Sequence, residues 1–343
     1  MDLEALLEES VAHLEDKFYQ EKFYFSYSSI SKLLYSPAVF YQMYVMGHKE
    51  IRTDKHLVEG SLIHNLLLEP EKFHQQFVVM PTAVPKDKAK ELVERVFSMV
   101  APSMEDDLQI EFQDCDTYIL DIMQQMNYFQ ALKTDAQRLE KVVTPETSTY
   151  FKFLSTKGNR DIIDEETLKY CQGSVDIIKQ HPEVLELLGQ NLELGSVRNI
   201  EVFNEEPMQA ELTKFGFGLK GILDNLVIDH DNKVININDF KTSSKDLSSF
   251  KESVEYWNYW MQAVIYLLMV SHKHRDLIAA GYTVEFRFIV IDRFYNVYPF
   301  KVSEASAQEW LNRFDEILHK VNYHYESRRF SLPYEFDQGL VVL

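Results

Sequence analysis

A polar turn between two apolar runs, within residues 220–243, constrains the fold of this chain more than any other feature. The runs cover residues 222–228 and 234–237 and are rich in β-branched and other apolar side chains. This pattern is typical of a β-hairpin. Pairing of the two strands would bring Asp224, in the first strand, close to Asp239, where the second strand runs out.

Two carboxylates at one point have a distinctive chemistry. They repel, and each disfavours ionisation of the other. A divalent cation removes that conflict, and carboxylate oxygens suit Mg²⁺ or Mn²⁺. Lys241 follows Asp239 by two residues and therefore shares its face on a strand. Its ammonium could orient a water molecule or stabilise a phosphate, as in metal-assisted phosphodiester hydrolysis. An ordinary surface hairpin also fits these residues.

The composition limits the partners of the chain. It has 343 residues, enough for one large domain or two small ones, and a formal net charge of −19. Because an acidic protein repels phosphate, binding of nucleic acid requires a local basic groove, bound cations or a partner that delivers the DNA. The two cysteines, Cys115 and Cys171, are too few for a disulfide framework or a four-cysteine metal site.

The sequence also carries expectations about location. Its acidic first residues lack the basic and then apolar pattern of a signal peptide. No apolar run approaches the roughly 18 residues that a membrane span needs. We therefore predict a cytoplasmic protein in a reducing environment, with no membrane partner.

Apolar spacing predicts a helical amino-terminal part, residues 1–82. Within it we expect a helix over residues 2–21, an aromatic helical hairpin over 25–47 and an apolar helix over 57–70. His64 lies inside the third helix. A lone histidine on an apolar helix is more often a satisfied core residue than a ligand, so spacing alone leaves both roles open.

The remaining chain divides into a helical insertion or lid, residues 83–196, and a core, residues 197–343. A long helix is predicted over residues 250–271, with Gln262 and Tyr266 on one face. A buried amide needs a partner, which the active site or a structural hydrogen bond could supply. Other predicted elements are a strand at 197–202, a turn at 205–207, a hairpin of 283–291 with 297–302, a helix over 304–327 and an extended tail over 330–343.

Several motifs follow one another in chain order. They are a Ser-x-Ser helix with Ser-Pro over residues 26–41, Gly60-Ser-Leu-Ile-His64, Glu201, Gly221-Ile-Leu-Asp224, Asp239-Phe-Lys241-Thr and Gln262-x-x-x-Tyr266. This set resembles the PD-(D/E)XK nuclease superfamily in its RecB-like and lambda-exonuclease-like branches, and in particular the RecE, or exonuclease VIII, group of phages and prophages. The resemblance covers about residues 25–82 and 155–342 and leaves out 100–150.

The resemblance implies an α/β fold. Its centre is a mixed β-sheet flanked by helices, a restriction-endonuclease-like core. An amino-terminal helical portion and a helical insertion are added to this core, and the whole is expected to form one compact domain.

The resemblance also implies a metal site. Asp224 and Asp239 would bind a catalytic Mg²⁺ or Mn²⁺, helped by the backbone carbonyl of Phe240. His64 would complete a metal site. No iron–sulfur cluster is expected, because the chain has only two cysteines.

The remaining roles follow from the same resemblance. Lys241 would position the attacking water and stabilise charge at the scissile phosphate. Glu201 matches an acidic position near the site, with Glu211 as the alternative. Gln262 and Tyr266 would orient Lys241 or contact the DNA backbone.

The implied function is metal-dependent exonucleolytic digestion of duplex DNA ends, in phage or prophage recombination or DNA processing. The alternatives are a structure-specific endonuclease of the same superfamily and a non-catalytic binding protein on a nuclease scaffold. A ring-shaped homo-oligomer would let an acidic protein hold DNA, and a single-strand-annealing protein is a further expected partner. Candidates for a basic inner surface are Lys214, Lys220, Lys245 and Lys251.

Overall fold

The computed structural model describes residues 16–48, 55–103, 110–190 and 198–341. It divides into two compact units, which we describe separately. The sheet unit comprises the described residues of 1–54 and 174–343, and the helical unit comprises residues 55–173. Most of the helix predicted over residues 2–21 lies outside the described residues, although residues 16–20 are helical. The predicted division at residues 83 and 197 stays a prediction.

The strands and helices of the described residues are named in chain order. The strands are β1 (Tyr24–Phe25), β2 (Phe77–Val79), β3 (Asp161–Ile163), β4 (Ile200–Glu211), β5 (Gly218–Asp229), β6 (Val234–Ser243), β7 (Thr283–Asp292) and β8 (Val297–Lys301). The α-helices are α1 (Tyr27–Tyr35), α2 (Pro37–Phe40), α3 (Lys55–Leu68), α4 (Phe73–Gln76), α5 (Asp87–Val100), α6 (Asp116–Gln125), α7 (Asp135–Val142), α8 (Pro145–Lys157), α9 (Glu165–Ile178), α10 (Pro182–Leu187), α11 (Phe250–Tyr256), α12 (Tyr259–Lys273), α13 (Arg275–Ala279), α14 (Glu304–Ser327) and α15 (Tyr334–Asp337).

A mixed sheet forms the centre of the sheet unit. Its strand order is β1-β5-β6-β7-β8, and β4 also pairs with β5. The pairs β4–β5, β5–β6 and β7–β8 are antiparallel, whereas β1–β5 and β6–β7 are parallel. The predicted α/β architecture, a central mixed sheet flanked by helices, is confirmed.

Helix α12 closes one face of this sheet because its sequence is apolar for most of its length. Val264 and Met269 of α12 are fully buried and pack in one cluster with Leu226 of β5, Phe286 of β7 and Phe314 of α14. Burying a side chain of this size contributes about 1.5–3 kcal/mol relative to leaving it exposed. The buried face of α12 therefore fixes that helix on the strands that carry the hairpin.

A ladder of asparagine amides crosses the opposite face of the sheet. The Asn225 amide donates to Asn204 Oδ1 at 2.9 Å, and the Asn238 amide donates to Asn225 Oδ1 at 2.8 Å. The ladder also binds the end of α10, since Asn238 donates to the Leu187 carbonyl at 2.9 Å. Asn225 and Asn238 are completely buried. A one-residue slip would leave these amides unpaired in the interior, so the ladder pins the register of β4, β5 and β6.

Two predicted elements are wrong in detail. The single helix predicted over residues 250–271 is broken into α11 and α12, because Asn258 adopts a left-handed conformation with φ 56°. Asparagine tolerates this conformation better than most residues, so the break is compatible with the sequence. The tail predicted as extended contains the short helix α15.

The helical unit has its own core. Helices α5, α6 and α8 meet around Leu92, Val96, Ile119, Met123 and Phe151, which are all buried. Strands β2 and β3 pair in parallel as a small separate sheet. The unit is mainly helical, as the sequence predicts for this part of the chain.

No helix in the described residues combines the length and the apolarity that crossing a membrane requires.

The turn between β5 and β6 is organised by a buried carboxylate. Asp229 accepts hydrogen bonds from the backbone N–H of Asn232 at 2.9 Å and from its amide at 2.8 Å, and it pairs with Arg198 at 3.4 Å. Burial acts to raise the pKa of Asp229, but the hydrogen bonds of Asn232 and the charge of Arg198 outweigh burial. The pKa is therefore lowered from its ordinary value of 3.8.

Replacing Asp229 with asparagine should change how the free energy of unfolding varies with pH. A lowered pKa means that ionised Asp229 stabilises the fold above pH 3.8, and that this contribution is lost as the pH falls through the folded-state pKa. We expect Asp229→Asn to lower the free energy of unfolding by about 1–3 kcal/mol at pH 7. Urea unfolding at several pH values measures the difference in the free energy of unfolding between the natural protein and Asp229→Asn. This difference should shrink below pH 3.8. The exposed control Asp276→Asn should have nearly the same free energy of unfolding as the natural protein. A difference that is constant with pH would contradict this account.

Candidate active site

Strands β5 and β6 separate at the point where the two predicted aspartates stand. Their ladder ends at the pair Asn225–Asn238, and the next residues are Asp224 and Asp239. Beyond the ladder, the backbone N–H of Phe240 donates to Asp224 Oδ2 at 2.7 Å. A carboxylate therefore takes the place of a strand carbonyl. The predicted hairpin is confirmed. It places Asp224 and Asp239 at the point where β5 and β6 separate, which we call the fork.

Lys241 is held as a cation at the fork. Its ammonium forms an ion pair with Asp239, donates to the Phe240 carbonyl at 3.4 Å and lies 4.9 Å from the centre of the Tyr259 ring. Burial lowers the pKa of Lys241, but the charges of Asp239 and Asp224 outweigh burial and raise it above 10.5. The side chain therefore stays protonated at neutral pH and cannot serve there as a proton acceptor.

A second set of hydrogen bonds holds Asp239 from α12. The Gln262 amide donates to Asp239 Oδ1 at 3.0 Å and to the Tyr266 hydroxyl at 3.0 Å. That hydroxyl donates in turn to the Ile222 carbonyl at 2.8 Å. Burial, together with the charges of Asp239 and Asp224, raises the pKa of Tyr266 well above 10.0, so the hydroxyl keeps its proton. Gln262 thus orients Asp239 rather than Lys241.

Glycine at position 221 is required by the approach of Tyr266. A Cβ atom at Gly221 would lie 2.8 Å from Cε1 of Tyr266 and 3.0 Å from Cε of Met269. These contacts are shorter than packed side chains tolerate. The Gly-x-x-Asp motif therefore has a packing reason, because the residue three before Asp224 must leave room for the tyrosine that supports the site.

A further carboxylate, Glu205, was missed by sequence reasoning. The register Asn204↔Asn225 and Glu206↔Leu223 places Glu205 opposite Asp224, and their carboxylate oxygens lie within 4.8 Å of each other. Glu205 has φ 47°, which is uncommon for a residue with a side chain. Strained backbone of this kind is often found at functional sites.

The sequence contained a signal for Glu205, although we predicted a turn there. Structurally the segment continues as β4, and the turn predicted at residues 205–207 is wrong. Each site carboxylate is adjacent in sequence to one asparagine of the buried ladder. The pairs are Asn204 with Glu205, Asp224 with Asn225, and Asn238 with Asp239. An asparagine next to an acid on each of the three strands is the pattern that could have identified Glu205.

The two acids proposed from the sequence stand elsewhere on β4. Glu201 lies opposite Ile228, four residues from the Asp224 position, which corresponds to about 13 Å along a strand. Its carboxylate contacts His230 Nε2 at 2.7 Å. Glu211 lies opposite Gly218 and pairs with Lys22 at 3.0 Å. The structure does not bring either acid to the fork.

The other predicted residues occupy several places. His64 lies on α3 of the helical unit, and its role as a ligand stays a prediction. Lys245 and Lys251 are exposed on the segment that joins β6 to α11 and at the start of α11. Lys214 lies 3.9 Å from Asp315, and Lys220 lies over the Phe23 ring, 5.6 Å from its centre. Their contact with DNA also stays a prediction.

The donor set of the fork fits a hard divalent cation. Glu205, Asp224 and Asp239 supply carboxylate oxygens, while Lys241 supplies one positive charge against their three negative charges. Asp224 and Asp239 are buried, with exposures of 7% and 0%, so water compensates this excess poorly. Oxygen-only ligands of this kind select Mg²⁺ or Mn²⁺ rather than softer metals.

Comparison with known proteins identifies the class of this site. Residues 179–330 match the PD-(D/E)XK nuclease superfamily, and this segment contains every carboxylate of the fork together with Lys241, Gln262 and Tyr266. The matched segment makes up less than half of the chain and is similar to domains of this superfamily. Membership of the RecE or exonuclease VIII group stays a prediction.

Two solved structures have a distant likeness to the chain. The crystal structure named "Putative exonuclease" from Eubacterium rectale is 14% identical, with 97% of this chain and 85% of that chain covered and a TM-score of 0.40. The crystal structure of SSO0001 is 11% identical, with 68% and 87% covered and a TM-score of 0.25. Neither likeness is high enough to carry an argument about the site. No curated protein matches the chain in sequence.

The packing of Gly221 against Tyr266 can be tested directly. We expect Gly221→Ala to lower the free energy of unfolding by about 1–3 kcal/mol, because the methyl group must displace Tyr266 or Met269. Gly216→Ala is the matched control, since its Cβ would meet the flexible end of Glu326 at 3.2 Å. Urea unfolding measures both variants. Equal stability of Gly221→Ala and the natural protein would show that the contact is not required.

Proposed function

We propose that this protein is a metal-dependent deoxyribonuclease that removes nucleotides from the ends of duplex DNA. The observation that carries the proposal is the fork of β5 and β6, which holds Asp224, Asp239 and Lys241 together and places Glu205 opposite Asp224. The fork lies inside the segment that matches the PD-(D/E)XK nuclease superfamily. The action on duplex ends comes from the sequence resemblance described above.

Each residue of the fork would have its own role in phosphodiester hydrolysis. Asp224, Asp239 and Glu205 would hold Mg²⁺, which supplies positive charge to the phosphate and lowers the pKa of a coordinated water. Lys241 keeps its ammonium protonated and has three N–H donors, of which Asp239 and the Phe240 carbonyl engage two. The third can donate to the attacking water or to a phosphate oxygen. Electrostatic stabilisation of this kind usually supplies the largest part of catalysis.

Loss of either central residue should abolish cleavage. We expect Asp239→Asn and Lys241→Ala each to reduce the hydrolysis rate of linear duplex DNA by at least about 10²–10³-fold. The controls are the matched exposed variants Asp276→Asn and Lys169→Ala, whose side chains are 98% and 71% exposed. The substrate is linear duplex labelled at either end, incubated with Mg²⁺ or with EDTA, beside covalently closed circular DNA.

Each outcome of this digestion has a definite meaning. Loss of linear DNA alone, only with Mg²⁺ and not with the two site variants, supports the exonuclease. Cutting of the circle would replace it with an endonuclease of the same superfamily. Failure of the folded natural protein to cut any substrate would contradict the nuclease and favour a binding protein.

Glu205 should matter for the metal in a way that Glu201 does not. Because Glu205 lies opposite Asp224 and Glu201 contacts His230, we expect Glu205→Gln to weaken Mn²⁺ binding by about tenfold or more. Isothermal titration calorimetry of the protein with Mn²⁺ measures this affinity, and Glu201→Gln should bind the ion like the natural protein. The reverse result would restore the assignment made from the sequence.

We extend the same proposal to His64 on the strength of the sequence motif Gly60-Ser-Leu-Ile-His64. In the branches that this motif resembles, a histidine at this place completes the metal site. His64→Gln belongs in the same calorimetric series, where weaker Mn²⁺ binding would support the proposal. Unchanged affinity would remove His64 from the ligand set.

The net charge of −19 shapes the proposal for DNA binding. The excess of acidic groups requires that positive charge be concentrated where the DNA lies. We propose Lys245 and Lys251 for this role, because both are exposed on the part of the chain that directly follows the fork. A ring of identical subunits, a single-strand-annealing partner and a role in phage or prophage recombination in the cytoplasm complete the proposal and come from the resemblance alone.

A further inference from the structure

We propose that Tyr256 and Trp257 form a platform on which a nucleobase of the strand being cut stacks, one or two nucleotides from the scissile phosphate. This inference rests on the proposed nuclease function and specifies its substrate, namely a strand end whose bases are unpaired near the cut. Stacking requires an exposed aromatic face near the site. The structure supplies two exposed rings on a segment that joins Lys241 to Tyr259 and whose backbone is held by hydrogen bonds.

The platform is close to the site because the chain that bears it begins and ends there. Residues 242–258 connect Lys241 of the fork to Tyr259. The two ends of this segment are in contact, because the Lys241 ammonium lies 4.9 Å from the centre of the Tyr259 ring. Trp257 precedes Tyr259 by two residues, a separation that successive nucleotides of a strand can span, since bases in one strand repeat about every 3.4 Å.

The two rings are exposed although they are large. Tyr256 is 75% exposed and Trp257 is 55% exposed, and their ring centres lie 4.7 Å apart at an angle of 90°. An exposed ring face of this kind can accept a base by stacking. Aromatic side chains bury more apolar area than most residues do, so two adjacent ones left in solvent indicate a binding role.

The backbone of the platform is fixed by contacts on both sides. The Trp257 carbonyl accepts a hydrogen bond from the Tyr27 hydroxyl at 2.5 Å, and the Trp257 N–H donates to the Ser253 carbonyl at 3.0 Å. Burial raises the pKa of Tyr27 to about 12, so its hydroxyl keeps the donated proton. Asn258, in its left-handed conformation, ends α11 and turns the chain into α12. A fixed backbone reduces the conformational freedom that is lost when a base binds to the rings.

The same segment carries charges of both signs, since Asp246, Glu252 and Glu255 are exposed there, and Glu255 is paired with Arg313 at 3.0 Å. Lys245 and Lys251 are exposed between the fork and the platform. Exposed lysines interleaved with aromatic rings are the combination by which proteins bind single-stranded nucleic acid: the lysines follow the phosphates and the rings stack on bases. Stacking is tolerant of sequence because every base has a π-face, so the platform should select unpaired bases rather than a particular base.

The test is a scan of oligonucleotide substrates in which one base at a time is replaced by an abasic site. With the natural protein, KM should rise roughly 5- to 150-fold when the missing base is one or two positions from the cut, and kcat should change little. The double variant Tyr256→Ala/Trp257→Ala should show the raised KM on the intact oligonucleotide and no further effect of the abasic site. Trp257→Phe should retain the natural profile, because a phenylalanine ring also stacks.

Controls separate this inference from the proposed function. Phe336→Ala removes an equally exposed ring, 57% exposed, from α15 and should keep the natural profile. The natural protein could cut DNA with a KM that does not depend on the position of the abasic site, or the double variant could show the same dependence as the natural protein. Either result would overturn the platform and leave the proposed nuclease function intact. A change in sedimentation of the double variant without a change in the profile would assign the rings to self-association and overturn the platform.

A natural protein that cuts no DNA would contradict the proposed function without deciding the platform. In that case the same oligonucleotides are titrated against tryptophan fluorescence. Quenching that disappears with the abasic site would support the platform. Quenching that is absent, or independent of the base, would overturn it.

Discussion

The separation of β5 from β6 is the constraint on which the rest of the site depends. Up to Asn225 and Asn238 the strands form an ordinary antiparallel ladder, and at the next residue Asp224 binds the backbone of Phe240 instead. This substitution of a carboxylate for a carbonyl brings Asp224 and Asp239 into the interior together. Such an arrangement of charges is unfavourable by itself, because buried like charges repel and water cannot screen them. A cation relieves this repulsion, and Lys241 supplies one positive charge.

Support for the fork comes from both faces of the sheet. On one face, Gln262 and Tyr266 link Asp239 to the Ile222 carbonyl, and the absence of a side chain at Gly221 allows the tyrosine to approach. On the other face, the asparagine ladder sets the register of the three strands that carry the acids. Each site acid is thus next to an asparagine that is hydrogen-bonded within the ladder. Positioned groups that need no reorganisation are what electrostatic catalysis requires.

Local patterns made the hairpin and its central residues predictable from the sequence. Asp224, Asp239 and Lys241 follow from two apolar runs, a short turn and the period of a strand, and none of these depends on distant parts of the chain. Glu205 did not follow, because its neighbour Pro207 suggested a turn, and only the register with β5 shows that it lies opposite Asp224. The break at Asn258 was missed for a related reason: an apolar periodicity continues across a single left-handed residue.

We propose that the fork holds a divalent cation between strands β4, β5 and β6. Diffraction from crystals of the protein soaked in Mn²⁺, recorded at a wavelength where manganese scatters anomalously, tests it most directly. The account predicts an anomalous peak bound by oxygens of Asp224 and Asp239, with Glu205 in the same shell, at distances of about 2.0–2.2 Å. A peak at Glu201, or no peak at the fork in crystals that bind manganese elsewhere, would contradict it.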